Sequence, residues 1–350
     1  MNKIRYIAIL LLMLAGGFHP ATAAATENGE VDVNHLVFGH IGDAYEWHIA
    51  TLGDTELKIP LPVIVHSSTG WHVFSSSRLE EGAYEGLSIA AEGPYEGKIV
   101  ERTADGTEVR PLDISITKNV LGLMINSAVL LAILLGCTRW YRKHPASEQA
   151  PGGGVGMMEA IVMTIHDDVI KSCVGPDYRR YAPYLLTAFF FVLVNNLMGL
   201  LPVFPGGANV TGNIAITLVL ALFTFFFTNV FGTKEYWKEI LWPDVPVWLK
   251  CPVPMMPVIE LFGIFTKPFA LMIRLFANIM AGHAAILSLL AIIFITVKAG
   301  PAVNGSMTFV AVAFGIFMDA LEVLVAFIQA YVFTMLSAVF IGMSRVKHGH

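Results

Sequence analysis

The pattern of apolar and polar positions changes character near residue 118. Before it, short alternating runs (57–65, 87–91 and 98–102) sit between Gly, Pro and Asp residues. Period-two alternation bounded by turn residues predicts small β-strands. After it, apolar residues continue for the length of whole membrane crossings: 119–138, 182–202, 211–232, 258–298 and 305–343. A helix needs about 20 apolar residues to cross ~30 Å of hydrocarbon. The stretch 157–173 is shorter and interrupted by His166, Asp167 and Asp168, so it predicts a helix lying in the interface rather than crossing. The expected fold is an all-α polytopic membrane protein: about five transmembrane helices, one interfacial helix, and a small β-rich segment ahead of them.

The last two runs are longer than a crossing requires. About 40 helical residues at ~1.5 Å each span ~60 Å, twice the hydrocarbon thickness. Each run could be divided into two crossings, and only Lys267-Pro268 and Gly315 offer turns near the midpoints. Division would also carry charged ends to awkward sides. The favoured expectation is a steeply tilted hairpin, which packing against a partner must impose.

Composition agrees with a bilayer as solvent. Of 350 residues, 55% are hydrophobic and 14% charged, against about a quarter charged in soluble domains. The net charge of -5 is uneven, because residues 25–118 hold 16 acidic and 6 basic side chains. No basic stripe suggests nucleic acid. Cys137, Cys173 and Cys251 are scattered without a CxxC pair, so no disulfide framework is implied. Residues 1–24 read as a signal peptide: Lys3 and Arg5, an apolar run over 7–14, then Ala21-Thr22-Ala23 as a cleavage site. Residues 25–118 are then exported, and 119–350 form the transmembrane domain. Five crossings from an outside N-terminus put 139–181, 233–257 and the C-terminus in the cytoplasm. Those regions hold Arg139, Arg142, Lys143, Lys171, Arg179, Arg180, Lys234, Lys238, Lys250, Arg345 and Lys347, while the short external loops hold only Lys298. This is the positive-inside bias. It predicts a multi-pass protein of a bacterial inner membrane, with residues 25–118 periplasmic.

Ionisable residues inside a membrane cost about 2.5–3.5 kcal/mol each at the helix centre and mark functional sites. The two long runs contain Glu260, Lys267, Arg274, His283, Asp319 and Glu322, with the amides Asn278 and Gln329. At 100° per residue, Glu260, Lys267, Arg274 and Asn278 fall on one stripe, with His283 nearly opposite. Asp319, Glu322 and Gln329 share a face of the last run. Arg274 keeps its proton, so it suits a fixed positive barrier and a transient carboxylate partner. Glu322 and His283 titrate, so they suit a relay. Asp319 and Glu260 lie nearer the ends, and Lys267 suits snorkelling to the interface. The bland reading of all these groups is that they pair with one another and hold helices together. Five His residues in the exported segment (His35, His40, His48, His66, His72) have no compact ligand spacing backed by Cys and read as surface or packing residues.

The run LMIRLFANIMAGH (271–283) resembles the signature of subunit a of the F-type ATP synthase. The likeness extends to ELFGIFTKPFALMIRLF before it, LEVLVAFIQAYVFTML after it, and YAPYLLTAFFFVLVNNLMGLLP upstream, covering about 120–345. The exported segment is not part of it. The resemblance implies a stator subunit beside a rotating c-ring, with peripheral-stalk b subunits and a soluble ATPase sector as further partners. It implies that Arg274 faces the c-ring carboxylate and separates two aqueous half-channels. Asn278 and Gln329 match residues lining the ion path, and Glu260 matches a carboxylate near the cytoplasmic exit. His283 and Glu322 match two positions that other members fill in the opposite order. Asp319 and Lys267 are weaker candidates. No catalytic residue, cofactor or metal is implied.

Two other classes fit less well. A proton-coupled secondary transporter predicts internal repeats with paired interrupted helices, and the polar residues here sit only in the final two runs. An intramembrane enzyme predicts a motif such as HExxH or GxSxG, and neither is present. A P-loop is also absent, so ATP chemistry belongs to a partner.

Overall fold

The computed structural model describes residues 42–52, 55–80, 82–91, 93–103, 107–144, 150–201, 204–242 and 255–345. The expected signal peptide lies outside the described residues, as do His35, His40 and Cys251. Two compact units are present: the described parts of Met1–Ile125 with Met198–Val210 and Leu287–Phe314, and those of Asn126–Leu197 with Thr211–Ile286 and Gly315–His350.

Among the described residues, eight short strands precede the long helices: β1 (Glu46–Leu52), β2 (Thr55–Pro60), β3 (Pro62–Ser67), β4 (Gly70–Ser75), β5 (Leu87–Ile89), β6 (Ile99–Arg102), β7 (Glu108–Val109) and β8 (Leu112–Asp113), with a single helical turn (Ser77–Glu80) between β4 and β5. They form three antiparallel sheets, ordered β1-β2, β4-β3-β8 and β5-β6-β7. The sequence run 57–65 is two strands rather than one. Pro60 and Pro62 lack the N–H that a continuous ladder needs, so the chain changes sheets at Leu61, whose N–H donates to the Tyr45 carbonyl at 3.3 Å. Val63 and Val65 on alternate positions of β3 are fully buried. They meet Tyr45, Phe74, Leu79, Leu87 and Ile99 in a small core. The Tyr45 hydroxyl donates to Asp113 and accepts the Ile99 N–H at 3.4 Å. Burial and the Asp113 carboxylate push this phenol well above the usual tyrosine range.

The first long helix, α1 (Lys118–Lys143), starts directly on this segment. The Asn119 N–H donates to Asp43 Oδ1 at 3.0 Å, and the Lys118 N–H to the Ala44 carbonyl at 2.8 Å. These acceptors satisfy donors that a helix N-terminus leaves open. Gly122 is required for close approach, since a Cβ there would stand 2.5 Å from that of Ala208.

Among the described residues, the other α-helices of eight residues or more are α2 (Gly153–Met163), α3 (Tyr178–Leu200), α4 (Ile214–Val230), α5 (Lys234–Leu241), α6 (Met255–Ile295) and α7 (Pro301–Arg345). Asn213 caps α4 by accepting the Ala215 N–H at 3.0 Å, and Thr233 caps α5 by accepting the Tyr236 N–H at 3.3 Å. Between α2 and α3 the chain keeps a helical course: a π-helical stretch (Thr164–Lys171), a short turn (Ser172–Val174) and a 3-10 turn (Gly175–Asp177). His166, Asp167 and Asp168 lie in the π-helical stretch, while Ile165, Val169 and Ile170 turn inward and are buried.

Both long apolar runs are single helices. α6 continues for 41 residues through Lys267 and Pro268, and α7 for 45 residues through Gly315. Neither run is divided at the candidate midpoint turns. One proline removes a single backbone hydrogen bond, and packed apolar neighbours on both sides of Pro268 keep the helix going.

Among the described residues, four helices are long and apolar enough to cross a membrane. A fifth is counted if α4 and α5, bent by 98° at their junction, form one span. The chain is therefore mostly helical and has the helices of a multi-pass membrane protein. In the second unit the core gathers Tyr181, Leu185 and Phe189 of α3, Leu271 and Leu275 of α6, and Phe333 and Ile341 of α7. Gly342 lets α7 lie against the backbone at Cys173, where a Cβ would fall 2.0 Å from the carbonyl oxygen. The outer faces are apolar and open, with Phe262 66%, Phe269 61% and Phe309 76% exposed, as lipid or a protein partner requires.

Candidate functional site

Helix periodicity sorts the polar residues of α6 and α7 onto different sides. On α6, Leu271, Met272, Leu275 and Ile279 are buried. That fixes the helix rotation and leaves Arg274 and Asn278, one turn apart, on the exposed side. Among the described residues, none forms an ion pair with Arg274. Other exposed side chains of this helix, Phe269 and Ile273 among them, are apolar.

On α7 the inward residues are Glu322, Ala326, Gln329, Ala330 and Phe333. Glu322 and Gln329, seven residues apart, are 9% and 5% exposed. The Glu322 carboxyl lies over the backbone of Gly282 on α6, where an added Cβ would stand 2.5 Å from Oε1. Glycine at 282 thus makes the space that the carboxyl occupies. His283 follows Gly282 directly and is half-buried. The structure so brings Glu322 to the level of α6 that carries His283. Glu322 Oε1 is buried and accepts no hydrogen bond, an arrangement that costs free energy in a packed interior. Asp319, one turn before Glu322, is half-buried.

Glu260 and Lys267 stand apart from this pair, toward the start of α6. Lys267 lines a cleft with Thr224, Thr228, Asn229, Tyr236 and Phe340, and its ammonium sits 5.8 Å over the Phe340 ring. The Tyr236 hydroxyl donates to Asn229 Oδ1 at 3.2 Å in the same cleft. Glu260 is half-buried and acts electrostatically on Tyr236.

Several polar residues of this region carry no weight in the sequence reading. Asn126 Nδ2 donates to Asn195 Oδ1 at 3.0 Å. Asn196 accepts from the Thr211 hydroxyl at 2.6 Å and donates to the Ala326 carbonyl at 3.3 Å. Thr224 is hydrogen-bonded to Tyr184 at 2.8 Å and to Ser337 at 3.0 Å. Amides inside otherwise apolar runs are the signal that could have found the first group. Gly282 carried no such signal, because its partner is set only by the packing of α7.

These features define a multi-pass membrane protein with an ionisable group buried between its two longest helices and a cation on the face beside it. The family model described as ATP synthase A chain matches residues 123–342, and the chain belongs to that family. Relatives agree. "ATP synthase subunit a 2" of Prosthecochloris aestuarii is 47% identical over 68% of this chain and 71% of its own length. "ATP synthase subunit a" of Chlorobium phaeobacteroides is 38% identical over 98% of this chain and 94% of its own, and that of Myxococcus xanthus is 38% identical over 84% and 90%. Residues 36–116 match a separate domain family of unknown function, which coincides with the stranded segment.

Proposed function

We propose that this chain is the proton-translocating stator subunit of an F-type ATP synthase membrane sector, with no catalytic site of its own. It couples proton flow to rotation of a c-ring, and so to ATP synthesis by a soluble sector carried by the same complex. Peripheral-stalk b subunits and the lipid bilayer complete its surroundings. The observation that carries the reading is the division of labour between two helix faces: a buried carboxyl at Glu322 whose Oε1 accepts no hydrogen bond, and an exposed arginine at Arg274.

In this reading a proton enters from outside through a half-channel containing His283, Glu322 and Gln329. It neutralises a c-ring carboxylate, which then turns into lipid. After nearly a full turn that carboxylate reaches a second half-channel near Glu260 and gives up the proton inside. Arg274, with Asn278 one turn away, stabilises the ionised carboxylate in passing and bars direct leakage between the half-channels. The driving force is about 2.3 kcal/mol per charge per 100 mV.

The unbroken lengths of α6 and α7 support a tilted hairpin. At ~1.5 Å per residue they extend ~60 Å or more, so fitting ~30 Å of hydrocarbon takes a tilt near 60°. Such a pair suits the curved wall of a ring. The charge bias among the loops supports an outside N-terminal segment, a cytoplasmic C-terminus and residence in a bacterial inner membrane. The test is ATP-driven proton pumping by complexes carrying Arg274→Ala.

A further inference from the structure

The first long helix lies outside the relay described above, yet it carries a buried amide. Asn126 and Asn195 are each 2% exposed. Asn126 Nδ2 donates to Asn195 Oδ1 at 3.0 Å, and Asn195 Nδ2 donates to the Phe191 carbonyl at 2.8 Å. Asn126 Oδ1 is left buried with no donor. Asn196, the next residue of α3, accepts from the Thr211 hydroxyl and donates to the carbonyl of Ala326 on α7, which extends the row of polar groups toward that helix. Ala326 is one turn beyond Glu322, whose Oε1 is likewise buried without a donor.

An amide pair that served only to join α1 and α3 would use its groups fully, or be replaced by apolar contact. Two buried acceptors, Asn126 Oδ1 and Glu322 Oε1, have no side-chain donor. Water is the small donor that fits such positions. The seam also lies at the right depth. Asn126 is eight residues into α1, roughly 12 Å along its axis, and Asn195 is five residues before the end of α3. In the proposed orientation both ends face outward.

We propose that Asn126 and Asn195 are positioning residues that hold water at the outer end of the route to Glu322, so that the first membrane helix takes part in proton entry. This rests on the proton-translocating reading of Glu322. No proton is exchanged with the amides themselves. Water bound at Asn126 Oδ1 donates one hydrogen bond there, takes up a proton on its oxygen from the outer side and passes its other proton to the next water toward Glu322, so that it remains water.

The experiment uses the whole complex in sealed vesicles and compares two substitutions of nearly equal size. Asn126→Ala removes the polar group, and Asn126→Ser restores a hydroxyl that can hold water. Proton-driven ATP synthesis is followed as the outside pH is varied. The expected result is a loss of about tenfold for Ala, as for one lost hydrogen bond to a reacting chain, with a displaced dependence on outside pH. Ser should recover most of the rate and the original pH dependence. The Ala and Ser forms of Asn195 repeat the comparison should the first pair assemble poorly. Equal rates for Ala and Ser, whether both normal or both lost, would overturn the inference, because packing alone would then explain the amides. If Arg274→Ala abolishes pumping while Asn126→Ala is normal, this inference fails alone. If Arg274→Ala pumps normally, the reading beneath it fails.

Discussion

Adding one methyl group at Gly282 probes the buried carboxyl without touching its chemistry. A Cβ there would lie 2.5 Å from Glu322 Oε1, 3.0 Å from Cδ and 3.4 Å from Cγ, where ordinary contact begins near 3.4 Å. The carboxyl must therefore retreat by roughly 1 Å, a displacement that costs as much as ~10²-fold in a positioned reaction. What gives way is the end of a flexible side chain, so helix packing survives and the complex assembles. Gly282→Ala should lower proton-driven ATP synthesis, and passive proton conduction through vesicles stripped of the soluble sector, by about 10- to 100-fold. Shortening the acid should compensate. Gly282→Ala combined with Glu322→Asp returns about one methylene of space and should conduct faster than either single variant. Double-mutant coupling of this kind separates direct contact from independent damage. A wild-type rate for Gly282→Ala, or losses that simply multiply in the pair, would refute the argument that this glycine holds the place of the carboxyl.

Two further outcomes follow from the same structure. Glu322→Gln keeps shape but cannot accept and release a proton, so conduction should fall about 10²-fold in both directions, measured in reconstituted vesicles; an unchanged rate would remove Glu322 from the relay. Tyr45→Phe removes a phenol that donates to Asp113 and accepts from Ile99, costing about 1 kcal/mol of stability in the stranded segment. The folded Tyr45 titrates above its ordinary value, so its contribution is complete below about pH 10 and is lost as pH rises through the folded pKa. Thermal melts followed by tryptophan fluorescence at neutral and at strongly alkaline pH should show this loss in the parent and less of it in Tyr45→Phe; equal slopes in both would contradict it.

The helical half of the molecule was legible because a bilayer imposes one rule on every crossing: backbone groups must be satisfied within the helix. Long apolar runs therefore become helices, and a charge such as Arg274 or Glu322 stands out against them. Period 3.6 groups Glu322 with Gln329, both buried, and Arg274 with Asn278, both exposed, whereas Glu260, Lys267 and Asp319, which fall on the same stripes, are half-buried. Sequence could not decide which of those faces turned inward, since that depends on the rotation set by Leu271, Leu275 and Phe333 in the core. Nor could it show that Pro268 leaves α6 intact, because local propensity opposes a helix there and tertiary packing overrides it. The stretch at His166–Asp168 looked separate from the following crossing, and the structure runs on from it into α3 through a π-helical segment. In the stranded segment, prolines at positions 60 and 62 divided one apparent run in two. The Gly282–Glu322 contact and the Asn126–Asn195 pair join residues 40 and 69 apart, and no local pattern announces such partners.

The central claim is that Arg274 keeps the two halves of the proton path apart without carrying the proton. Its most direct test is ATP-driven acidification of inverted vesicles whose only complexes carry Arg274→Ala, with assembly verified by recovery of the c-ring and the soluble sector in one particle. The account predicts assembled complexes in which ATP hydrolysis persists and no proton gradient forms. Normal acidification by those vesicles would contradict it.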